Sequence, residues 1–117
     1  MLLFNTKSAK ATGVPQPVTE ILIRMVKDLE DTRGKYAGYS YVRTMRNILV
    51  GKEDAAIAPY FKGKPYYGLM DELKLEDMER IMDVLVQTGQ LDIIYTDNGK
   101  LYCTHDYHEK KAKMGRL

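Results

Sequence analysis

Residues 93–104 read IIYTDNGKLYCT, two runs of β-branched and aromatic residues meeting at a polar centre. Asn-Gly is the pair that best tolerates positive φ at both centres of a tight turn, so the stretch predicts a β-hairpin. With Asn98-Gly99 as the two-residue turn, Asp97 faces Lys100, Thr96 faces Leu101, Tyr95 faces Tyr102 and Ile94 faces Cys103. The strand period of two then places Leu91, Ile93, Tyr95, Tyr102 and Thr104 on one face. Ile94, Thr96, Leu101 and Cys103 fall on the other. The first face has the larger side chains and is expected to cover the core.

The regular elements upstream of the hairpin read as helices. Val18, Ile21, Leu22, Met25 and Leu29 recur at helical spacing and predict a first helix over 18–31, entered through Pro15 and Pro17 and stopped by Arg33-Gly34. A second helix is expected over 39–50, with Tyr41, Val42, Met45, Ile48 and Leu49 on its apolar face and Gly51 ending it in the left-handed conformation. A short helical turn is expected in Glu53–Pro59, then a loop from Tyr60 to Leu73 containing Gly63, Pro65 and Gly68. The third main helix runs from Leu75 to Thr88, burying Met78, Ile81, Met82 and Leu85, with Gly89 as its cap. The expected organisation is a flexible arm over 1–17, one domain over 18–107 and a charged, frayed basic tail over 108–117. The fold class is α+β and mainly helical: a winged helix of three main helices plus a C-terminal hairpin wing.

Composition narrows the functional classes. The chain has 117 residues, a net charge of +2 and 44% apolar residues, enough for one core. One cysteine and two histidines make neither a disulfide framework nor a zinc site, which fits a reducing, cytoplasmic setting. No apolar run reaches the ~18–20 residues of a membrane span. The apolar start Met1–Phe4 is too short for the core of a signal peptide. Charge is segregated along the chain. Residues 33–64 carry seven basic against two acidic side chains, residues 65–99 two against eight, and residues 108–117 four against one. Such a dipolar pattern suits a polyanion on one face.

Catalytic and metal motifs are missing. Gly51-Lys52 and Gly63-Lys64 lack the leading glycine and the following Ser or Thr of a phosphate loop. His105 and His108 beside Asp106 have ligand-like spacing but are expected to be solvated near a frayed terminus. Cys103 reads as a buried bystander. No enzyme activity, metal or cofactor is expected. The third helix turns Glu76, Asp77, Glu79, Arg80, Asp83 and Gln87 to solvent, a set that phosphates repel. The second helix offers Arg43, Arg46 and Asn47 as one polar stripe, followed by Lys52 at its end and by Lys62 and Lys64 in the loop. Nine tyrosines in a chain without tryptophan are expected mostly to serve as core aromatics.

The stretch KPYYGLMDELKLEDMERIMDVLVQTGQL, residues 64–91, resembles the RQC domain, the winged helix that follows the catalytic core of RecQ-type helicases. The likeness rests on Tyr67-Gly68, the amphipathic helix Leu75 to Thr88, and Gly89-Gln90-Leu91 leading into the wing. Upstream, Ile48-Leu49-Val50-Gly51-Lys52 is similar to that family's Ile-Leu-Arg-Gly-Ser segment. The likeness spans residues 18 to 104 and is closest to small stand-alone bacterial variants without a helicase. It implies a module that binds duplex or branched DNA near the end of the second helix and at the wing, with Gly51 and Lys52 as phosphate contacts. It also implies a wing contact, here through Lys100 or the Asn98 amide, because the tip holds no aromatic wedge. Val50 and Lys52 stand where the family has Arg and Ser, Glu53 and Asp54 weaken the local positive potential, and Lys74 replaces a capping Ser. The family's zinc cysteines and helicase motifs are absent, so no ATP-driven unwinding is implied. The competing expectation is a protein-binding winged helix, in a bacterial or phage regulator, whose Glu76, Glu79 and Asp83 dock a basic partner. Oligomeric state is not legible in the residues.

Overall fold

The computed structural model describes residues 14–32, 40–53 and 58–113. Helix α1 spans Gln16–Asp31, α2 Val42–Val50, α3 Ala58–Phe61 and α4 Leu75–Gln87. The hairpin strands are β1, Asp92–Thr96, and β2, Gly99–Cys103, and helix α5, His105–Lys113, ends the described chain. The molecule is α+β and mainly helical, with one two-stranded antiparallel sheet among the described residues. Of the arm expected over 1–17, residues 1–13 lie outside the described residues, as does the Arg33-Gly34 stop, while Gln16 and Pro17 already belong to α1.

Helix α1 opens at Pro15, whose carbonyl accepts the Thr19 N–H at 3.0 Å. Proline suits this position because the first N–H groups of a helix have no partner inside it. Thr19, Leu22, Met25, Val26 and Leu29 form its buried stripe. The helix stops when Thr32 turns extended and its hydroxyl donates back to the Asp28 carbonyl at 2.6 Å.

Helices α2 and α4 end alike. Gly51 takes φ 75° and Gly89 φ 82°. The N–H groups of Gly51 and Lys52 reach the Ile48 and Asn47 carbonyls, and those of Gly89 and Gln90 reach the Val86 and Leu85 carbonyls. This is the Schellman arrangement, which satisfies otherwise orphaned carbonyls and favours glycine at the left-handed position. At the start of α4, Glu76 and Asp77 sit against the positive end of the helix dipole and stand in for the missing side-chain cap.

The loop expected over Tyr60–Leu73 is partly helical. Tyr60 and Phe61 belong to α3, and Phe61 is fully buried with Leu22, Met25, Leu29, Met45, Ile48, Leu49, Met78, Met82 and Leu85. The apolar gain of burying Phe61 fixes that turn. The helical turn expected over Glu53–Pro59 falls largely on residues 54–57, outside the described residues. Beyond α3 the chain folds back onto the end of α2, where Gly68 N–H meets the Ile48 carbonyl at 3.0 Å and Met70 N–H the Leu49 carbonyl at 2.8 Å.

Three expectations about the chain's second half and α2 are corrected. First, Ser40 and Tyr41 are not helical. The Ser40 carbonyl accepts the Tyr102 N–H at 3.0 Å, and Tyr41 bridges Leu101 antiparallel to it, so this segment edges the hairpin before α2 begins. Second, the hairpin register pairs Thr96 with Gly99, Tyr95 with Lys100, Ile94 with Leu101, Ile93 with Tyr102 and Asp92 with Cys103. Asp97 and Asn98 form the loop with ordinary negative φ, and Gly99 alone is positive. Thr96 fixes that loop, its Oγ1 accepting the Asn98 N–H at 3.1 Å and lying 3.0 Å from the Gly99 carbonyl. The faces keep their membership, because the slip moves each partner by two residues. Their burial differs from expectation: Leu91 and Tyr102 are buried, but Tyr95 is 77% exposed, and Leu101 and Cys103 of the other face are buried too. Third, residues 108–113 are not frayed but belong to α5.

Polar contacts hold α5. Thr104, just before it, donates its N–H and hydroxyl to the Glu30 carboxylate, both at 2.8 Å, joining α5 to α1. Burial pushes the Glu30 carboxyl above its ordinary range, against the lowering effect of the Thr104 bonds. His105 and His108, expected to be solvated, both bond Asp92 of β1 through Nδ1, at 2.8 and 3.0 Å.

Candidate nucleic-acid interface

Tyr41 joins the start of α2 to the hairpin. Its backbone bridges Leu101, and its hydroxyl lies 2.9 Å from Thr96 Oγ1. The first turn of α2 and the hairpin tip therefore stand side by side. Between them is a shallow cleft of about 210 Å³ lined by Tyr41, Val42, Arg43, Glu79, Asn98 and Lys100. Helix α2 enters this cleft without a side-chain cap, so its leading N–H groups add partial positive charge.

Of the sequence-derived candidates, the cleft gathers Arg43, Asn98 and Lys100. Arg43 is exposed and forms no ion pair among the described residues. Lys100 is already neutralised: Nζ lies 3.0 Å from Glu79 and 3.0 Å from Asp83. Its hydrogen bonds to Asp83 and then Glu79 raise its pKa. Asp83 also accepts the hydroxyl of buried Tyr102, so the base of the hairpin is tied to α4 by one carboxylate.

The other candidates lie apart. A nine-residue helix is about 13 Å long, so Lys52 stands at the far end of α2 from Arg43. Lys52 is exposed and holds no ion pair among the described residues, while its carbonyl accepts the Tyr67 hydroxyl at 3.0 Å. Lys62 pairs with Glu53 at 3.2 Å. Lys64 turns toward α1 and lies 3.7 Å from Asp28, a carboxylate that also accepts the Tyr66 hydroxyl at 2.5 Å.

The stripe expected from Arg43, Arg46 and Asn47 is not a stripe. Asn47 is only 9% exposed, and Arg46 folds over it, donating Nε–H to the Leu73 carbonyl at 2.9 Å and lying 3.4 Å from Asn47 Oδ1. The reason is steric. The segment 68–73 packs onto that side of α2 and needs a donor for its Leu73 carbonyl. Arg46 and Asn47 thus serve the fold, and Arg43 alone of the three is presented outward.

Near the cleft, the sequence reading missed the exposure of Tyr95 and the position of Glu79. Tyr95, assigned to the core face, is the most exposed large apolar side chain of the described residues and sits across from Lys100 on the hairpin. Its position one pair from the loop, beyond the reach of the helices, was the available signal. Glu79 lines the same cleft, an intrusion of negative charge that helical periodicity placed on the solvent face without locating it. The acidic candidates Glu79 and Asp83 are largely spent on Lys100 and Tyr102. Glu76 remains exposed beside them, along a shallow depression shared with Arg80, Val84 and Gln87.

Among the described residues no group of three or more His, Cys, Asp and Glu converges to hold a metal ion. Burial, with Glu30 and Asp92 nearby, pushes the Cys103 thiol up to about 12, which keeps it protonated and unreactive. Among the described residues no helix is long and apolar enough to cross a membrane. No protein-family model matches this chain, and neither a curated protein nor a solved structure does.

Proposed function

We propose that this protein is a non-enzymatic winged-helix module that contacts the backbone of duplex or branched DNA at the cleft between the first turn of α2 and the hairpin tip. The observation that carries the reading is the strapping of the hairpin to Tyr41, which brings the outward Arg43, the uncapped α2 start and Asn98 together. A guanidinium and a helix N-terminus are both complementary to a phosphate. The element order, with Ser40–Tyr41 edging the hairpin between α1 and α2, supports the winged-helix assignment. Tyr95 adds a flat, solvent-facing ring one pair from the tip, suited to stacking on an unpaired base.

Glu79 and the internal pairing of Lys100, Lys62 and Lys64 limit the net positive charge. Affinity is therefore expected to be modest, with about two or three phosphates neutralised and a log–log salt slope near −2. The test is fluorescence anisotropy of duplex, forked and single-stranded DNA at two salt concentrations, with wild type and Arg43→Glu. Salt-sensitive binding that Arg43→Glu weakens about tenfold supports the reading. Failure to bind any of the three DNAs at low salt overturns it.

A second reading rests on a specific observation, the draw of Lys100 onto the α4 carboxylates, which leaves Glu76 as the acid of that helix face without an ion pair among the described residues. In it, α4 docks a basic protein segment. Charge reversal at Glu76 abolishing a partner while leaving DNA binding intact would favour it.

A further inference from the structure

No side chain of α5 is fully buried, Tyr107 and His108 being half-buried, and polar contacts fix the helix to the rest of the molecule. One end is fixed by Thr104 on Glu30. The other contacts converge on the base of the hairpin, where Asp92 Oδ1 lies 2.8 Å from His105 Nδ1 and Asp92 Oδ2 lies 3.0 Å from His108 Nδ1. The second nitrogen of His105, Nε2, lies 2.9 Å from the Gly89 carbonyl that follows α4.

The hydrogen bonds fix the proton count. A backbone carbonyl and a carboxylate are both acceptors, and a neutral imidazole carries only one N–H. His105 sits between two acceptors, so both bonds exist together only when its ring is an imidazolium. His108 needs a proton on Nδ1 alone, which a neutral ring supplies.

We propose that α5 is a pH-sensitive latch, closed on the hairpin base while His105 is doubly protonated and loosened beyond Thr104 when His105 loses a proton. This inference is independent of the proposed DNA interface. Besides Asp92 and His108, the charged or titratable groups around His105 are Asp106 and Glu109 on α5, Cys103 on β2 and, beyond Cys103, Glu30 on α1. Release frees a segment carrying Lys110, Lys111 and Lys113 from the hairpin.

The signs agree with this arrangement. The hydrogen bond to Asp92, then that to Gly89, raises the His105 pKa. A raised folded-state value means the stabilisation is complete below the ordinary histidine pKa of about 6.5 and is lost as pH rises through the folded value. Burial pushes the Asp92 carboxyl up, but the bonds from His105 and then His108 outweigh it and hold the carboxyl below its ordinary value. That contribution is present above the unfolded pKa of about 3.9 and is lost as pH falls through the lowered one. The latch is therefore tightest between about pH 4 and 6.5.

The experiment is NMR on the full ¹⁵N-labelled chain from pH 5.5 to 8.5, reading both ring nitrogens of His105 and the amide exchange of residues 108–113 corrected for intrinsic rate. At pH 5.5 both His105 nitrogens are expected to carry protons, with the transition above the ordinary histidine value. Protection in 108–113 should fall roughly three- to tenfold by pH 8.5, the range of one lost hydrogen bond, with α4 unchanged. His105→Gln still donates one bond but cannot become a cation. It should hold the low protection at every pH, and the 59% exposed side chain makes it safe for the fold. A His105 transition at or below the ordinary value, pH-independent protection in the wild type, or a pH response that survives in His105→Gln overturns the proposal.

Discussion

Gly51 and Gly68 meet backbone to backbone: a Cβ built on Gly51 would stand 3.0 Å from the Gly68 Cα. Both glycines hold positive φ, 75° and 73°. Gly51 follows Ile48-Leu49-Val50 and Gly68 follows Tyr67, and the contact makes these two short segments one structural joint. The end of α2 and the turn before α4 are pressed together there, with Tyr67 laid across by its bond to the Lys52 carbonyl.

Gly51→Ala should therefore destabilise the protein by about 2–3 kcal/mol, combining the left-handed penalty with an overlap against backbone that cannot swing away. Urea unfolding checks it. Gly63→Ala is the control, since a Cβ there meets nothing within 4 Å and the residue is not left-handed. Its effect is expected within about 0.5 kcal/mol.

Tyr66 and Tyr102 donate their hydroxyls to Asp28 and Asp83 from buried rings. Burial first, then the carboxylate each one faces, raises both phenol pKa values well above the ordinary range. The stabilisation is complete below the unfolded phenol pKa of about 10 and disappears as pH rises through the folded values. An ultraviolet titration should thus find two tyrosines that ionise only as the fold is lost. Tyr66→Phe and Tyr102→Phe should each cost about 1–2 kcal/mol and remove one such late transition.

Cys103 gives a probe of opening. Its thiol is buried, with its pKa pushed up to about 12, and lies 3.8 Å from the Asp92 carbonyl. At pH 8 its reaction with a thiol reagent should be at least about a hundredfold slower in the native protein than in urea. The native rate should track global stability across the Gly51→Ala and Tyr→Phe series. A fast native reaction would show that the hairpin base opens locally.

Lys100 and Arg43 share a cleft but not a role. Lys100→Met leaves the Glu79 and Asp83 carboxylates uncompensated at the cleft, so DNA binding should weaken about two- to threefold and stability should change by no more than about 1 kcal/mol. Arg43→Ala should weaken DNA binding about fivefold with stability unchanged. Glu79→Gln should strengthen DNA binding two- to fivefold by lifting the negative charge from the cleft. Anisotropy at one fixed salt concentration separates the three, and a larger loss for Lys100→Met than for Arg43→Ala would mean that the ion pairs open on binding.

Local rules carried the helices. Pro15, Gly51 and Gly89 mark helix ends because caps are decided by a few neighbouring residues, and the stripes of α1 and α4 follow from simple periodicity. The hairpin was legible, but its register was not, because Thr96 stabilises an Asp97-Asn98 loop through its side chain and spares Asn98 from positive φ. Helix α5 has no apolar stripe to see. It is ordered by Glu30 and Asp92, and Glu30 is 74 residues from the Thr104 it holds. The candidate interface was only partly legible for the same reason. Whether a lysine is available depends on the carboxylate that long-range folding brings to it, and Lys64 meets Asp28 while Lys100 meets Asp83. Arg46 and Asn47 were polar residues on what looked like an open face, until the segment before α4 covered them.

The Thr104–Glu30 joint also has a meaning in time. A ribosome makes α1 before the other described elements, yet the carboxylate near its end waits for a hydroxyl and an N–H that emerge 74 residues later. Leu22, Met25, Val26 and Leu29 are likewise buried against side chains from α2, α4 and β2. Helix α1, made before the other described elements, is therefore among the last to be finished. A nascent chain stalled before α2 and α4 have emerged carries on α1 an exposed apolar stripe that the completed molecule buries.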